Sequence, residues 1–494
     1  MLPLVALLAS CHDYLNKFPE NTVEAADVDY SKTEDMYMPV SGVYGTAQIK
    51  LSAWTAYGII TVRGDDTDKG SSPNDQIQFN SAKRFQYEDV KSFFALNAAW
   101  EGFYNLITVS NAALESLDKY AEYITSDADR QLYRQYAAEV RFIRAFTYFR
   151  IVTLWGDVPV VFNNQQLQVT KAPAADVYQY IFNELDYCMT NLPEVRPNEL
   201  TTHKGAVTKY SALALYAKAN LYRENWNAVL QATNTIIESR KFSLYDDFYQ
   251  LFKIPGKLSN ESLYELQYTD FDTPSGQVVQ PDQWFVSQGP RGGESPIQGW
   301  GFFVPSDIVR NYFHARGETI RDTTTFLLTG HTTPSGDYIR PGIEGEPTAY
   351  NGKAYTPANQ MTPGRLDYGT NNNIRVLRYA DVLLMNAEVK IRLGGAGDGD
   401  GPLNLVRDRA GMPAITNATL DDVLNERRVE FAMEWGERYF DLVRTGRAAG
   451  TLPGFVAGKS EYYPIPQNQV DLNENLAENV EPTPIDWNEV NKNK

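Results

Sequence analysis

Three aspartates fall within four consecutive residues, Asp65, Asp66 and Asp68 in the run RGDDTDKG. Carboxylates this dense have four uses: a solvated loop, acceptors for a sugar's hydroxyls, ligands for a calcium ion, or a general acid and base. Glycoside hydrolysis needs two carboxyl groups about 5 to 10 Å apart across the scissile bond, and three acids in one short loop do not supply that alone. Calcium takes about six to eight oxygen ligands, so carbonyls from elsewhere would have to join. Rings stand near this cluster. Trp54 and Tyr57 shortly precede it, and Trp284 and Trp300 lie far downstream beside Gln283, Gln298 and Gly299. A ring with a polar rim suits a sugar, whose apolar face it covers while amides and acids meet the hydroxyls. Trp54, Tyr57, Asp65, Asp66, Asp68, Trp284, Gln298 and Trp300 are therefore the candidate ligand contacts. A large Tyr-rich core is the competing use of any one ring.

Nothing else in the chain carries a catalytic signature. The four histidines (His12, His203, His314, His331) have no partner at metal-site spacing. There is neither a G-x-S-x-G elbow nor a G-x-x-x-x-G-K-[ST] loop. Glu426, Glu430, Glu434 and Glu437 with Arg427, Arg428 and Arg438 read as an ion-pair network pinning one helix to another, because arginine holds carboxylates in fixed orientation. The expectation is a binding protein, not an enzyme, with no cofactor beyond a structural calcium at the Asp65 cluster. A net charge of −17, from 45 basic and 62 acidic side chains, repels polyanions and argues against nucleic acid.

The elements that must position these residues are mostly helical. Trp100, Tyr104, Ile107, Asn111 and Leu114 share one face of a helix that begins after Asp89. A second helix spans Asp127 to Leu154 and stops at Trp155-Gly156-Asp157-Val158-Pro159, where glycine and then proline end it. Helices follow over Ala174–Met189 and Lys204–Tyr222, then from Trp226 to Ser239. Their alternation of small and large residues resembles tetratricopeptide-type packing. Cys188 lies in one of them as a small buried thiol. From about Tyr245 to Asn373, runs such as GPRGGESP and RPGIEGEPTAYNGKAYTP predict turns and loops, and long loops on a helical scaffold carry function. Helical pattern resumes at Asn373, with Leu377, Ala380, Leu384, Ala387 and Ile391 on one stripe. A charged helix is expected from Thr419 to about Arg444, burying Leu424, Phe431, Trp435 and Leu442.

At the start, Leu2 to Ser10 is nine apolar or small residues running into Cys11. A membrane span needs about 20, so this segment reads as a processed export signal. Leu8-Ala9-Ser10-Cys11 reads as a lipoprotein box in which Cys11 becomes the lipidated, palmitate-bearing residue. The missing positive n-region leaves ordinary secretion and no export as alternatives, or a gene start placed too late. Residues 12–35 suit a tether.

Motif order then points to a family. Trp100-x-x-x-Tyr104-x-x-Ile107-x-x-x-Asn111, Ala138-Glu139-x-Arg141-Phe142-x-Arg144-Ala145-x-x-Tyr148-Phe149 and Trp155-Gly156-Asp157-Val158-Pro159 come first. Arg378-Tyr379-Ala380-Asp381-Val382-Leu383-Leu384-Met385-x-Ala387-Glu388, Leu403-Asn404-x-Val406-Arg407-x-Arg409-Ala410-Gly411, Glu426-Arg427-Arg428-x-Glu430-Phe431, Arg438-x-Phe440-Asp441-Leu442-x-Arg444 and Tyr463-Pro464-Ile465-Pro466 follow. With the Cys11 box, this series resembles the SusD/RagB family of outer-membrane nutrient-binding lipoproteins of Bacteroidetes-type bacteria. Asn473-Glu474-Asn475-Leu476 departs from it, lacking the family's proline. The resemblance implies a mainly α fold, with tetratricopeptide-like helix pairs forming a curved scaffold and a loop-rich C-terminal part. It implies a lipid-anchored, cell-surface protein of the outer membrane that captures oligosaccharide or polysaccharide and delivers it to a SusC-like TonB-dependent porin. Peptide capture for a similar porin is the same-family alternative, and a helical glycoside hydrolase the enzyme-class one. The implied organisation is a signal remnant with the lipidation site at 1–11, a helical repeat region at 12–245, and a C-terminal region at 246–494, loop-rich over 246–373 and helical over 374–446.

Overall fold

The computed structural model of the chain describes residues 28–166, 168–269, 283–291, 295–341, 345–361 and 371–488. Cys11 and the signal remnant lie outside the described residues. Helices precede the first one that the periodicity reveals, among them α1 (Tyr37–Leu51) and α2 (Trp54–Thr61). α1 buries Val40, Val43, Ala47 and Leu51 along one side. α2 buries every residue from Thr55 to Thr61, so it has no polar face from which a helical period could be read.

A stack of long helices follows: α3 (Phe94–Ala121), α4 (Asp127–Trp155), α5 (Ala174–Asn191), α6 (Lys209–Tyr222) and α7 (Trp226–Glu238). Their ends obey local chemistry. Ser126 caps α4 by accepting from the Asp129 amide at 3.0 Å, and Gly156 ends it at φ 72°. α6 begins five residues later than the pattern predicts, because Thr208 and Ser211 form a capping box there. α3 packs on α4, α4 on α5, α5 on α6 and α6 on α7, the succession of a curved, tetratricopeptide-like scaffold. Cys188 of α5 is free and buried, its thiol against the Ala138 carbonyl of α4 at 3.1 Å.

The Gly- and Pro-rich middle of the chain folds into short antiparallel pairs. β1 (Thr67–Gly70) pairs with β3 (Phe302–Pro305), β2 (Ser262–Leu266) with β6 (Ile374–Arg378), and β4 (Phe326–Leu328) with β5 (Ala349–Asn351). Helical structure thus resumes at Tyr379 and not at Asn373. Leu377, which the pattern placed on a helix, belongs to β6, whose five residues are all buried. The helix α8 (Gln283–Gln288) lies among these strands. Then come α9 (Tyr379–Gly394), α10 (Asp400–Arg409), α11 (Leu420–Phe431) and α12 (Glu437–Arg444).

The charged helix expected from Thr419 to Arg444 is therefore two helices. The chain leaves the helix at Ala432, which is extended (ψ 134°), and Met433 (φ 65°), and Gly436 at φ 71° then starts α12 close to α2, where a Cβ would meet the Ile60 carbonyl oxygen at 2.7 Å. Leu424, Phe431, Trp435 and Leu442 are buried all the same. The expected ion-pair network joins these helices to α9 through Arg427–Asp381 (2.6 Å) and Arg444–Glu388 (2.7 Å), and to the end of β6 through Arg378–Glu430 (3.0 Å). One apolar core runs through helices and strands, from Met36 to Leu476.

Candidate ligand-binding site

The β1–β3 pairing brings the two candidate segments together. Its register sets Thr67 opposite Pro305, Asp68 opposite Val304 and Gly70 opposite Phe302. The pair is antiparallel, so residues after β1 meet residues before β3, the Ser71 amide donating to the Gly301 carbonyl at 2.6 Å, while residues before β1 meet those after β3, the Ser306 hydroxyl donating to the Asp65 carbonyl at 2.6 Å. The turn carrying Trp300 is held by its own backbone: the Trp300 amide donates to the Val286 carbonyl at 2.7 Å, and Gly301 N–H to Gly289 O at 3.0 Å. Behind α2, Gly58 allows the Phe303 and Phe79 rings to press on the helix, since a Cβ there would meet them at 2.5 and 2.6 Å.

Two ring clusters result. In the outer one, Trp54 at the start of α2 meets Trp300 edge to face, with centroids 6.0 Å apart and planes at 87°. Phe302 lies 5.3 Å and Phe94 6.0 Å from the Trp54 ring. Trp54 and Trp300 are half-buried, Phe94 is 49% exposed, and Gln298 is exposed two residues from Trp300. In the inner cluster, one turn along α2, Tyr57 lies 4.2 Å from Trp284, which lies 4.6 Å from Trp435. Tyr57 is fully buried and Trp284 nearly so. Polar atoms tie this cluster into the core. The Tyr57 hydroxyl donates to the Met433 carbonyl at 3.2 Å, and Trp435 Nε1 donates to the Arg375 carbonyl at 2.7 Å.

The acids divide the same way. Asp65 and Asp66 are buried. Arg428 donates to Asp66 Oδ1 at 2.6 and 2.9 Å and to Asp65 Oδ2 at 3.1 Å, while Arg438 reaches Asp65 Oδ1 at 3.0 Å. Burial pushes the Asp66 carboxyl up, against the pull of Arg428. Asp68 is half-exposed and pairs with Lys83. Among the described residues no three or more histidine, cysteine, aspartate and glutamate side chains gather in a group that could hold a metal ion. The calcium option for Asp65, Asp66 and Asp68 gives way to this pairing, because arginine and lysine already neutralise the carboxylates a cation would need. Phe94 and Phe302 escaped the sequence reading. Phe94 opens a helix as an apolar residue on no stripe, a signal for exposure that was there to be read.

Comparison with known proteins accords with this architecture. The family profile described as starch-binding associating with outer membrane matches residues 26–221, and that of the SusD family matches 336–460. The chain belongs to the SusD/RagB family. A SusD-like protein of Bacteroides ovatus is 28% identical over 472 residues, covering 88% of this chain and 80% of the relative. Among solved structures, a laminarin-binding SusD-like protein has a TM-score of 0.75 at 24% identity, covering 89% of this chain and 98% of its own. Surface glycan-binding protein A from Bacteroides thetaiotaomicron has a TM-score of 0.73 at 24% identity, covering 91% and 99%. Membership places this SusD/RagB chain among outer-membrane, surface-exposed proteins. No helix among its described residues is long and apolar enough to cross a membrane.

Proposed function

We propose that this protein captures a glycan on the outer surface and passes it to a SusC-like TonB-dependent porin, with Trp54, Trp300 and Phe94 as the ring platform. The observation that carries the reading is the meeting of Trp54 and Trp300, 246 positions apart in sequence, at a half-exposed edge-to-face contact. Two rings at nearly right angles offer apolar faces to a curved chain, with Gln298, two residues from Trp300, and Asp68 of β1 as the proposed hydrogen-bonding groups. The Asp65, Asp66 and Asp68 carboxylates are engaged by Arg428, Arg438 and Lys83, which fits binding. Relatives bearing laminarin- and glycan-binding names share the fold, which directs the first choice of ligands. Cys11 is proposed as the lipid anchor, holding the body beside its porin through the residues that follow.

Calorimetric titration with laminarin, xyloglucan and starch oligosaccharides, extended to host and microbial glycans and to peptides, tests this. One glycan class is expected to bind, and Trp300→Ala to weaken it about tenfold, roughly 1.4 kcal/mol. Silence across every glycan, or binding of peptides alone, overturns it. Incorporation of labelled palmitate that Cys11→Ser abolishes is the matching test of the anchor.

A further inference from the structure

Arg141, Arg144 and Asn111 belong to the motifs that mark the family resemblance, yet the ring platform uses none of them. They meet at a cavity of about 460 Å³ between α3, α4 and α5, closed on one side by the turn at 162–165. That volume lies in the range of small-molecule sites, about 300 to 1,000 Å³.

The floor is a polar cluster with one donor unmet. Glu184 of α5 is buried and takes two hydrogen bonds from Arg144, at 2.7 and 2.9 Å. Arg144 also donates to Asn111 Oδ1 at 2.7 Å, joining α3 to the same cluster. Arg144 and Glu184 thus neutralise each other. Arg141, one turn earlier on α4, has only a 3.3 Å contact with Glu184 Oε1, and its guanidinium lies 4.2 Å over the Tyr187 ring. Its Nε is buried without a hydrogen-bond partner. Nε is thus sealed off by the packing, whereas Nη2 makes no hydrogen bond within the protein and is not buried, which leaves it as the guanidinium N–H that an acceptor in the cavity can reach.

The walls say what kind of molecule would bring it. Tyr133, Phe162 and Tyr187 line the cavity half-buried. Asp118 stands at the exposed rim, accepting from the Tyr133 hydroxyl at 2.6 Å, and the 162–165 turn adds the amides of Asn163 and Gln165. The lining holds two cations, Arg141 and Arg144, against three anions, Glu115, Asp118 and Glu184, so it does not select an anion. With acids and amides on every side it does not select a hydrocarbon either. Ring faces, acceptors, amides and an unpaired guanidinium N–H together match a neutral polyhydroxylated molecule, one that buries no charge and whose hydroxyls donate and accept in turn.

We infer that the α3–α4–α5 cavity is a second saccharide site, for a neutral mono- or disaccharide, separate from the ring platform and sharing no residue with it. It accepts from Arg141 at its inner end and donates to Asp118 at the rim.

The test titrates the full chain, and the chain carrying Trp300→Ala, with neutral mono- and disaccharides of glucose, galactose, mannose and xylose, followed by saturation-transfer NMR. Uronic acids and free amino acids serve as charged comparators. At least one neutral sugar is expected to bind equally to both proteins, and Arg141→Gln and Asp118→Ala to weaken it about tenfold. Platform binding of long glycans should be unchanged in both variants. Should Arg141→Gln fail to fold, Asp118→Ala and Gln165→Ala, both on the exposed rim, decide the matter. The inference is overturned if no neutral sugar binds, if the sugar binding disappears with Trp300→Ala, or if only the charged comparators bind. Loss of platform binding with cavity binding intact counts against the proposed function alone.

Discussion

Tyr57 and Trp54 sit three residues apart on one helix and meet opposite fates. Trp54 turns to the surface with Trp300 and Phe94, whereas Tyr57 turns into the core with Trp284 and Trp435. The Asp65 cluster divides the same way. Asp65 and Asp66 are locked by Arg428 and Arg438, while Asp68, two residues on, pairs with a lysine at the surface. A residue type suited to binding is equally suited to packing, and which it does depends on the side of the β1–β3 pair it falls. The inner members hold the segments in place so that the outer ones can present their faces.

The widest contrast should come from acid. Inside, Glu388 and Glu430 lose solvation by burial, but the arginines around them more than offset this. Arg444 acts chiefly on the first, Arg409 and Arg378 on the second, and both carboxyls are held at about 2 against an ordinary 4.5. Folded values below the unfolded ones mean that this stability is present above pH 4.5 and lost as pH falls from there towards 2. Melting temperature followed by circular dichroism should fall steeply across that window, and a flat profile would break the picture of an electrostatically held interior. Glu139 supplies the opposite sign. It is also fully buried, but its partners are Tyr37, Tyr44 and Gln135, and burial raises it to about 7. Its contribution is lost as pH rises from 4.5 through 7, so Glu139→Gln should flatten the slope on that side.

Next in size is Trp284→Ala. A buried indole removed from between Tyr57 and Trp435 should cost about 3 to 5 kcal/mol, read by chemical denaturation. Trp300→Ala should cost about 1 kcal/mol or less in stability while weakening glycan binding, as half-exposed positions tolerate truncation better. Equal losses of stability from the two would erase the distinction between inner and outer rings. Smallest of all, Asp68→Asn should change stability by no more than about 0.5 kcal/mol, the range of an exposed pair. A loss of several kcal/mol there would mean that the outer acids are structural too.

The long helices α3, α5 and α7 were legible because each buries one face and leaves another wet, so the period shows, while α4 and α6, buried over most of their surface, were legible from their length and their mixture of small and large apolar residues. α2 was not, since a helix buried on every side has no period. The break between α11 and α12 was hidden for a different reason. Apolar residues continue through Phe431, Trp435 and Leu442, across an extended Ala432 and left-handed Met433 and Gly436 that only the backbone reveals. The short strands were also beyond reach, because a four-residue strand such as β1 is defined by a partner more than 200 residues away.

Residue types and their order determined that this chain is a helical member of its family, that its acids and arginines would pair, and that rings near positions 54 and 300 were worth watching. Those properties are local or additive, and sequence carries them directly. Tertiary structure alone decided that Trp54 meets Trp300 at the surface while Tyr57 meets Trp284 in the core, and that Asp65 and Asp66 belong to arginines. The reason is geometric: each of these contacts closes a loop of more than 200 residues, and no spacing along the chain encodes a distance across it.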